Sequence, residues 1–175
     1  MINDKYELIF IHIPRTGGMS IKKALEDFTD NHQDTILHPH VKSNEIKKQF
    51  PKKYKEYKKF TVIRNPYDRM MSWYSYLHED LNVNKFKLWL NEENPLFLPQ
   101  YDWIDNTVEI IRFESLNEEM HEFLKKNINT PMYIPAINES MSRDYEYLEF
   151  YDQEALDMVY DNYKIDFEKF NYKKQ

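Results

Sequence analysis

Apolar residues along the chain form short β-rich runs that alternate with stretches of helical spacing. The β-rich runs predict strands at residues 6–13, 35–38, 60–64 and 107–113. Helical spacing and helix-start residues predict helices at 18–28, from 43 onward, and at 66–81, 86–90, 116–126 and 153–164. Strands that alternate with helices are typical of a parallel sheet flanked by helices. We therefore expect an α/β fold of three layers and, because no repeat or linker-like stretch occurs, a single domain over residues 1–175.

Local sequence signals predict the starts of two of these helices, and a cluster of lysines lies in the same part of the chain. Ser43 is a candidate N-cap, and Asn65 is a candidate N-cap of the helix that Pro66 opens. Residues 42–59 hold eight lysines. They form either a solvated helix face or a surface that attracts an anionic substrate or cofactor.

Overall composition restricts the class of protein. The 175 residues carry a net charge of −6, which argues against general nucleic-acid binding. No cysteine is present, so disulfide and thiolate chemistry are excluded. No apolar run approaches the roughly 18 residues of a membrane span, and no signal-peptide core opens the chain. We expect a cytoplasmic protein that binds neither nucleic acid nor membrane.

Both glycines of the chain stand together, where the first predicted strand meets the first predicted helix. Gly17 and Gly18 lie in residues 10–20, which read FIHIPRTGGMS. Glycine is favoured where the backbone takes a positive φ or approaches a ligand closely. This P-loop-like turn is therefore expected to bind an anion through backbone amides and Arg15. The alternative is a tight turn with an ordinary solvent-exposed arginine.

The turn lacks the ending that triphosphate hydrolysis requires. In nucleoside triphosphatases the glycine is followed by Lys and then by Ser or Thr, whose hydroxyl holds Mg²⁺. Here Gly18 is followed by Met19 and Ser20. We therefore expect an anion site without a metal ion.

A second strand also delivers an arginine to a strand–helix junction. Residues 60–72 read FTVIRNPYDRMMS, with Arg64 at the predicted strand end and Ser72 about two helical turns later. Because ligands of parallel α/β sheets bind at the carboxyl ends of strands, we expect both motifs to face one crevice. Asp68 and Arg69 are expected to pair with neighbouring groups and to fix the helix.

The two motifs resemble those of the sulfotransferases that use 3′-phosphoadenosine 5′-phosphosulfate (PAPS). Family motifs similar to IPKTGGTS and VRNPYDRLVS stand against IPRTGGMS and IRNPYDRMMS here. Residues 97–104, 112–116 and 166–172 look like later family blocks. The resemblance to compact carbohydrate-type members implies the sulfotransferase fold. It also implies sulfuryl transfer from PAPS to a hydroxyl or amine of a small molecule or glycan, with 3′-phosphoadenosine 5′-phosphate (PAP) as product.

The resemblance also implies roles for individual residues. The residues that would hold the 5′-phosphosulfate are Arg15, Thr16, Gly17, Gly18, Met19 and Ser20. Arg64 and Ser72 would hold the 3′-phosphate, while Ser140 and Arg143 lie in a loop similar to one that closes over PAPS. For that loop an ordinary surface role is the alternative.

Two of these positions depart from the family pattern. Arg15 stands where most relatives carry a catalytic lysine, and it keeps the positive charge but replaces a compact ammonium by a planar fork. We expect Arg15 to stabilise the leaving phosphate. Met19 replaces a small or hydroxylated residue.

Transfer to a hydroxyl also needs a general base, for which histidine is the commonest choice. His38 and His40 are the candidates, because carbohydrate sulfotransferases are similar in keeping a catalytic histidine in this segment, and we favour His40. The alternatives are passive packing or half of a metal site. His12, inside the first strand, is expected to be structural. A degenerate nucleotide-binding module and a small nucleotide kinase remain alternative functions for the chain.

Overall fold

The computed structural model of the protein describes residues 1–25, 40–92, 94, 96–128 and 147–175. The chain divides into two compact units. The first unit comprises Met1–Ile63 and Asp102–Ile137, and the second comprises Arg64–Tyr101 and Asn138–Gln175. A single domain over residues 1–175 stays a prediction.

The described part of the first unit contains a four-stranded mixed sheet. Its strands, in spatial order, are β1 (Ile2–Asn3), β2 (Leu8–Ile11), β3 (Lys58–Ile63) and β4 (Glu109–Arg112). β2, β3 and β4 run parallel as predicted, whereas β1 is antiparallel to β2. The prediction of a purely parallel sheet is therefore wrong at this edge, because a two-residue strand is too short to show a periodic pattern.

The parallel core of the sheet fixes the point from which the glycine turn departs. All four residues of β2 are buried, as their continuous apolar character predicts. Phe10 lies opposite Phe60 of β3, and the two rings stack with their centroids 4.9 Å apart. Near the carboxyl end of both strands, the Thr61 hydroxyl donates to Ile11 O at 2.8 Å. This edge of the sheet is therefore held by both packing and a buried hydrogen bond.

Seven α-helices occur within the described ranges. They are α1 (Gly18–Ala24), α2 (Ser43–Gln49), α3 (Pro51–Glu56), α4 (Pro66–Leu77), α5 (Val83–Leu90), α6 (Leu116–Ile128) and α7 (Gln153–Phe170). With the sheet, they confirm the α/β class; the three-layer, P-loop-like arrangement stays a prediction. The predicted strand at 35–38 and the segments that hold Ser140 and Arg143 lie outside the described residues.

Helix boundaries follow local chemistry more closely than apolar spacing. Asn65 caps α4 as predicted, its side chain accepting from the Tyr67 amide, and Pro66 opens the helix. The helix ends at Leu77 rather than at residue 81. Ser43 is the first residue of α2, so its prediction as N-cap is wrong by one residue; the N-cap is Lys42.

Aromatic packing holds the second unit together, where α4, α5 and α7 share one buried cluster. Its buried aromatic members are Tyr67, Trp73, Tyr74, Phe86, Trp89, Tyr163 and Phe167. Burial of one large side chain stabilises a fold by about 1.5–3 kcal/mol, so this cluster gives α4 a rigid base. Rigidity of α4 matters because the helix carries Asp68 and Ser72.

Candidate functional site

The turn between β2 and α1 is tight and conformationally strained. Arg15 has a φ of 66° and Gly17 a φ of 84°. The left-handed region costs a non-glycine residue about 1–2 kcal/mol, so the surrounding structure must hold Arg15 there. Thr16, fully buried between them, contributes to this because its hydroxyl donates to Ile13 O at 2.8 Å. The strain therefore lies at the residue that the sequence marks as a catalytic candidate.

Each glycine of the turn is required by its protein surroundings. A Cβ atom on Gly17 would lie 3.0 Å from Cε2 of Phe113, in addition to the positive φ of this residue. A Cβ atom on Gly18 would lie only 1.9 Å from Nε2 of His12. Only glycine fits at position 18 because the imidazole fills that space. Anion binding by the amides of Gly17 and Gly18 stays a prediction.

The start of α1 limits which amides an anion can use. The Ser20 amide donates to Gly17 O at 3.0 Å, so it belongs to the first helical turn. Ser20 is buried, whereas the Met19 side chain is half exposed. Amides earlier in the turn than Ser20 are therefore the candidates for an anion.

His40 lies beside the turn, with one ring nitrogen facing a backbone carbonyl. Its Nδ1 lies 3.0 Å from the backbone O of His12, and the centroids of the two imidazole rings are 4.3 Å apart. A carbonyl oxygen only accepts, so this contact is a hydrogen bond when Nδ1 carries the proton. In the neutral ring Nε2 then holds the lone pair, as a general base requires. His38 lies outside the described residues.

His12 is held as a neutral, buried imidazole. Burial, followed by the nearby charge of His40, lowers the pKa of His12 well below its ordinary value. Within the described residues its buried Nδ1 has no hydrogen-bond partner. Stacking on Phe10 and the close approach of Gly18 account for its position, which agrees with the predicted structural role.

In the second unit, the candidate phosphate ligand Arg64 is fixed by an ion pair. Its Nε and Nη2 donate to Oδ2 and Oδ1 of Asp68, each at 2.7 Å. Such a bidentate pair orients the plane of a guanidinium as well as its charge. Arg64 and Ser72, both predicted to bind the 3′-phosphate, are buried.

The neighbouring arginine, Arg69, is buried and bonded to backbone carbonyls. Arg69 is fully buried and donates from Nη1 to Leu98 O at 3.1 Å and from Nη2 to Leu96 O at 3.4 Å. Its guanidinium also lies over the Trp73 ring. The prediction that Asp68 and Arg69 pair with neighbouring groups is confirmed.

Sequence comparison decides the family. A sequence model of the sulfotransferase family matches residues 1–95 of the 175, more than half of the chain. The chain belongs to the sulfotransferase family. The match includes both the glycine turn with Arg15 and the α4 motif with Arg64. Comparisons with curated proteins and with solved structures gave no significant match to this sulfotransferase-family chain.

The described residues contain neither a metal-binding cluster nor a helix that could span a membrane. A metal site would require three or more His, Asp or Glu side chains close together. The described ranges of this sulfotransferase-family chain contain no such group. Over the same residues, no helix has both the length and the apolar character that crossing a bilayer takes.

Proposed function

We propose that the protein transfers a sulfuryl group from PAPS to a hydroxyl or amine of a small-molecule or glycan acceptor. The observation that carries the proposal is the strained turn after β2. In this turn the backbone of Arg15, the residue that carries the cation, has a φ of 66°. Strain of this kind persists only where the structure over-determines it, and it is common at active sites. Family membership suggests what this cation does: sulfuryl transfer leaves negative charge on a phosphate, and the cation would stabilise that charge.

The proposal assigns a separate set of donor groups to each of the two anionic ends of PAPS. When bound, PAPS supplies the sulfuryl group and the phosphate from which it leaves. We assign its 5′ end to Arg15, to the amides of Thr16, Gly17, Gly18 and Met19, and to the Ser20 hydroxyl. The Ser20 amide is left out because it is bonded to Gly17 O. Fixed donors of this type stabilise developing charge without a metal ion.

The 3′-phosphate is assigned to Arg64 and Ser72. Asp68 accepts from Nε and Nη2 of Arg64, and this bidentate pair orients the guanidinium that we assign to the phosphate. That both arginines bind one PAPS molecule, and that Ser140 and Arg143 contribute, stay predictions.

The acceptor is activated by His40. Its Nε2 takes the proton of the attacking hydroxyl while the S–O bond to the acceptor forms and the S–O bond to the phosphate breaks. Because Nδ1 donates to His12 O, the ring keeps its orientation and the imidazolium that forms is stabilised. Arg15 stabilises the negative charge on the departing phosphate. His38 remains the alternative base.

Binding of the product tests the proposal. PAP should raise the melting temperature of the protein, as any ligand of the native state does, and Arg64→Ala should abolish the shift. Lys164→Ala is the control, because it removes an exposed cation of α7 that lies outside both motifs and the later family blocks. It should leave the shift unchanged. No shift at millimolar PAP, or an equal shift in Arg64→Ala, would overturn the proposal.

A further inference from the structure

The backbone of Arg64 is paired with a side chain rather than with a neighbouring strand. Gln100 is fully buried; its Oε1 accepts from the Arg64 amide at 2.9 Å, and its Nε2 donates to Arg64 O at 2.8 Å. A carboxamide offers one acceptor and one donor group, like a peptide unit. The Gln100 carboxamide therefore takes the place of a neighbouring strand for Arg64, the first residue after β3.

Gln100 is itself held by a buried carboxylate of α7. Oδ2 of Asp166 accepts from the Gln100 amide at 2.8 Å and from Gln100 Nε2 at 3.3 Å. Oδ1 of Asp166 accepts from the Tyr101 amide at 2.9 Å. Asp166 is fully buried, and this burial raises the pKa of its carboxyl, while the amide donors and the buried cation of Arg69 offset part of the cost.

Arg64 is thus restrained at two points. Gln100 fixes its backbone and Asp68 fixes its guanidinium, as the distances above show. An arginine that is ordered before its ligand arrives loses less conformational freedom on binding, which increases affinity for that ligand. The affinity of Arg64 for a phosphate should therefore depend on Gln100, although Gln100 need not contact the phosphate.

We propose that Gln100, held by Asp166, is a positioning residue for Arg64 and sets the preference of the site for a nucleotide that carries a 3′-phosphate. The inference rests on the proposed function, because it takes Arg64 as the ligand of that phosphate. A residue that only stabilised the fold would affect nucleotides with and without a 3′-phosphate equally. The comparison of these two nucleotides is therefore the decisive measurement.

Calorimetric titration with PAP and with adenosine 5′-phosphate (AMP), which lacks the 3′-phosphate, tests the inference. Gln100→Met removes both hydrogen bonds to Arg64 and should weaken PAP binding about tenfold while AMP binding changes less than about twofold. Gln153→Met, the same substitution at an exposed position of α7, should leave both affinities unchanged. In an Arg64→Ala background, Gln100→Met should not alter the PAP-to-AMP ratio further.

Each result has one meaning. Equal weakening of PAP and AMP, or no weakening of either, overturns the positioning role of Gln100. If the unaltered protein does not prefer PAP to AMP, or if Arg64→Ala keeps the preference, the proposed function fails instead. Should Gln100→Met not fold, Gln100→Asn replaces it. The asparagine stays neutral beside Asp166, but its side chain is one methylene too short to bond both backbone groups of Arg64, and the same outcomes apply.

Discussion

The imidazole of His12 occupies the space that a side chain at position 18 would need. A Cβ atom on Gly18 would come within 1.9 Å of His12 Nε2. The His12 ring in turn lies 4.3 Å from the ring of His40, between centroids. The end of β2, the start of α1 and the candidate base therefore belong to one closely packed cluster.

Gly18→Ala should destabilise the first unit by about 1–3 kcal/mol, the usual cost of overpacking. The cause is the contact with His12 and not the backbone, because Gly18 has no positive φ. Urea denaturation measures the change in the free energy of unfolding. The double variant His12→Ala/Gly18→Ala is the control. It should lose less stability than the sum of the two single variants, and strict additivity would contradict the contact.

Stability should fall in mild acid because His12 is buried in its neutral form. Burial lowers the pKa of His12 in the folded state, whereas the unfolded chain has the ordinary value near 6.5. Below that pH the unfolded state binds the extra proton. The free energy of unfolding then decreases by up to about 1.4 kcal/mol per pH unit until the folded-state pKa is reached.

Urea denaturation at pH 7.5 and pH 5.5 measures this loss. The variant His12→Gln cannot bind the proton, so its stability should depend less on pH than that of the unaltered protein. An equal pH dependence in both proteins would show that His12 does not titrate on unfolding.

Arg15 should contribute to transfer at the expense of stability. Arg15→Asn places a residue that tolerates positive φ at this position, so the free energy of unfolding should increase, by less than about 1 kcal/mol. The same variant loses the cation and should reduce kcat by about 100- to 1,000-fold. Arg15→Lys, which keeps a charge, should retain more activity than Arg15→Asn. Equal rates in the two variants would contradict a charge-based role.

His40 should affect the chemical step and not the binding of nucleotide. His40→Gln removes the lone pair at Nε2 and should lower kcat by about 100-fold or more, with unchanged affinity for PAP. His38→Gln is the matched control, because His38 is the alternative base. If His38→Gln causes the larger loss of kcat, the assignment of the base moves to His38.

Several parts of the fold could be predicted from sequence because short-range chemistry determines them. The parallel strands follow from continuous apolar runs, and the start of α4 follows from Asn65 and Pro66. β1 could not be predicted, since two residues carry no period. The sequence predicts an end of α4 at residue 81, four residues beyond its actual end at Leu77.

The candidate site could be predicted only in part, because some of its contacts join residues that are far apart in the sequence. Arg15 and Arg64 stand in motifs, so their positions at strand–helix junctions could be predicted. Gln100 and Asp166 lie in two later blocks that resemble the family, 66 residues apart. Spacing gave no sign that they bond to each other or to Arg64. Likewise, the reason for glycine at position 18 is the ring of His12, a contact that only the folded chain shows.

Transfer of labelled sulfate from PAPS to a panel of glycans, peptides and small hydroxylated or amino metabolites is the decisive assay for sulfotransferase activity. The unaltered protein should label at least one acceptor, and Arg15→Asn and His40→Gln, both still able to bind PAP, should strongly reduce labelling. Binding of PAP without transfer to any acceptor would contradict the proposed function and identify a nucleotide-binding module that has lost catalysis.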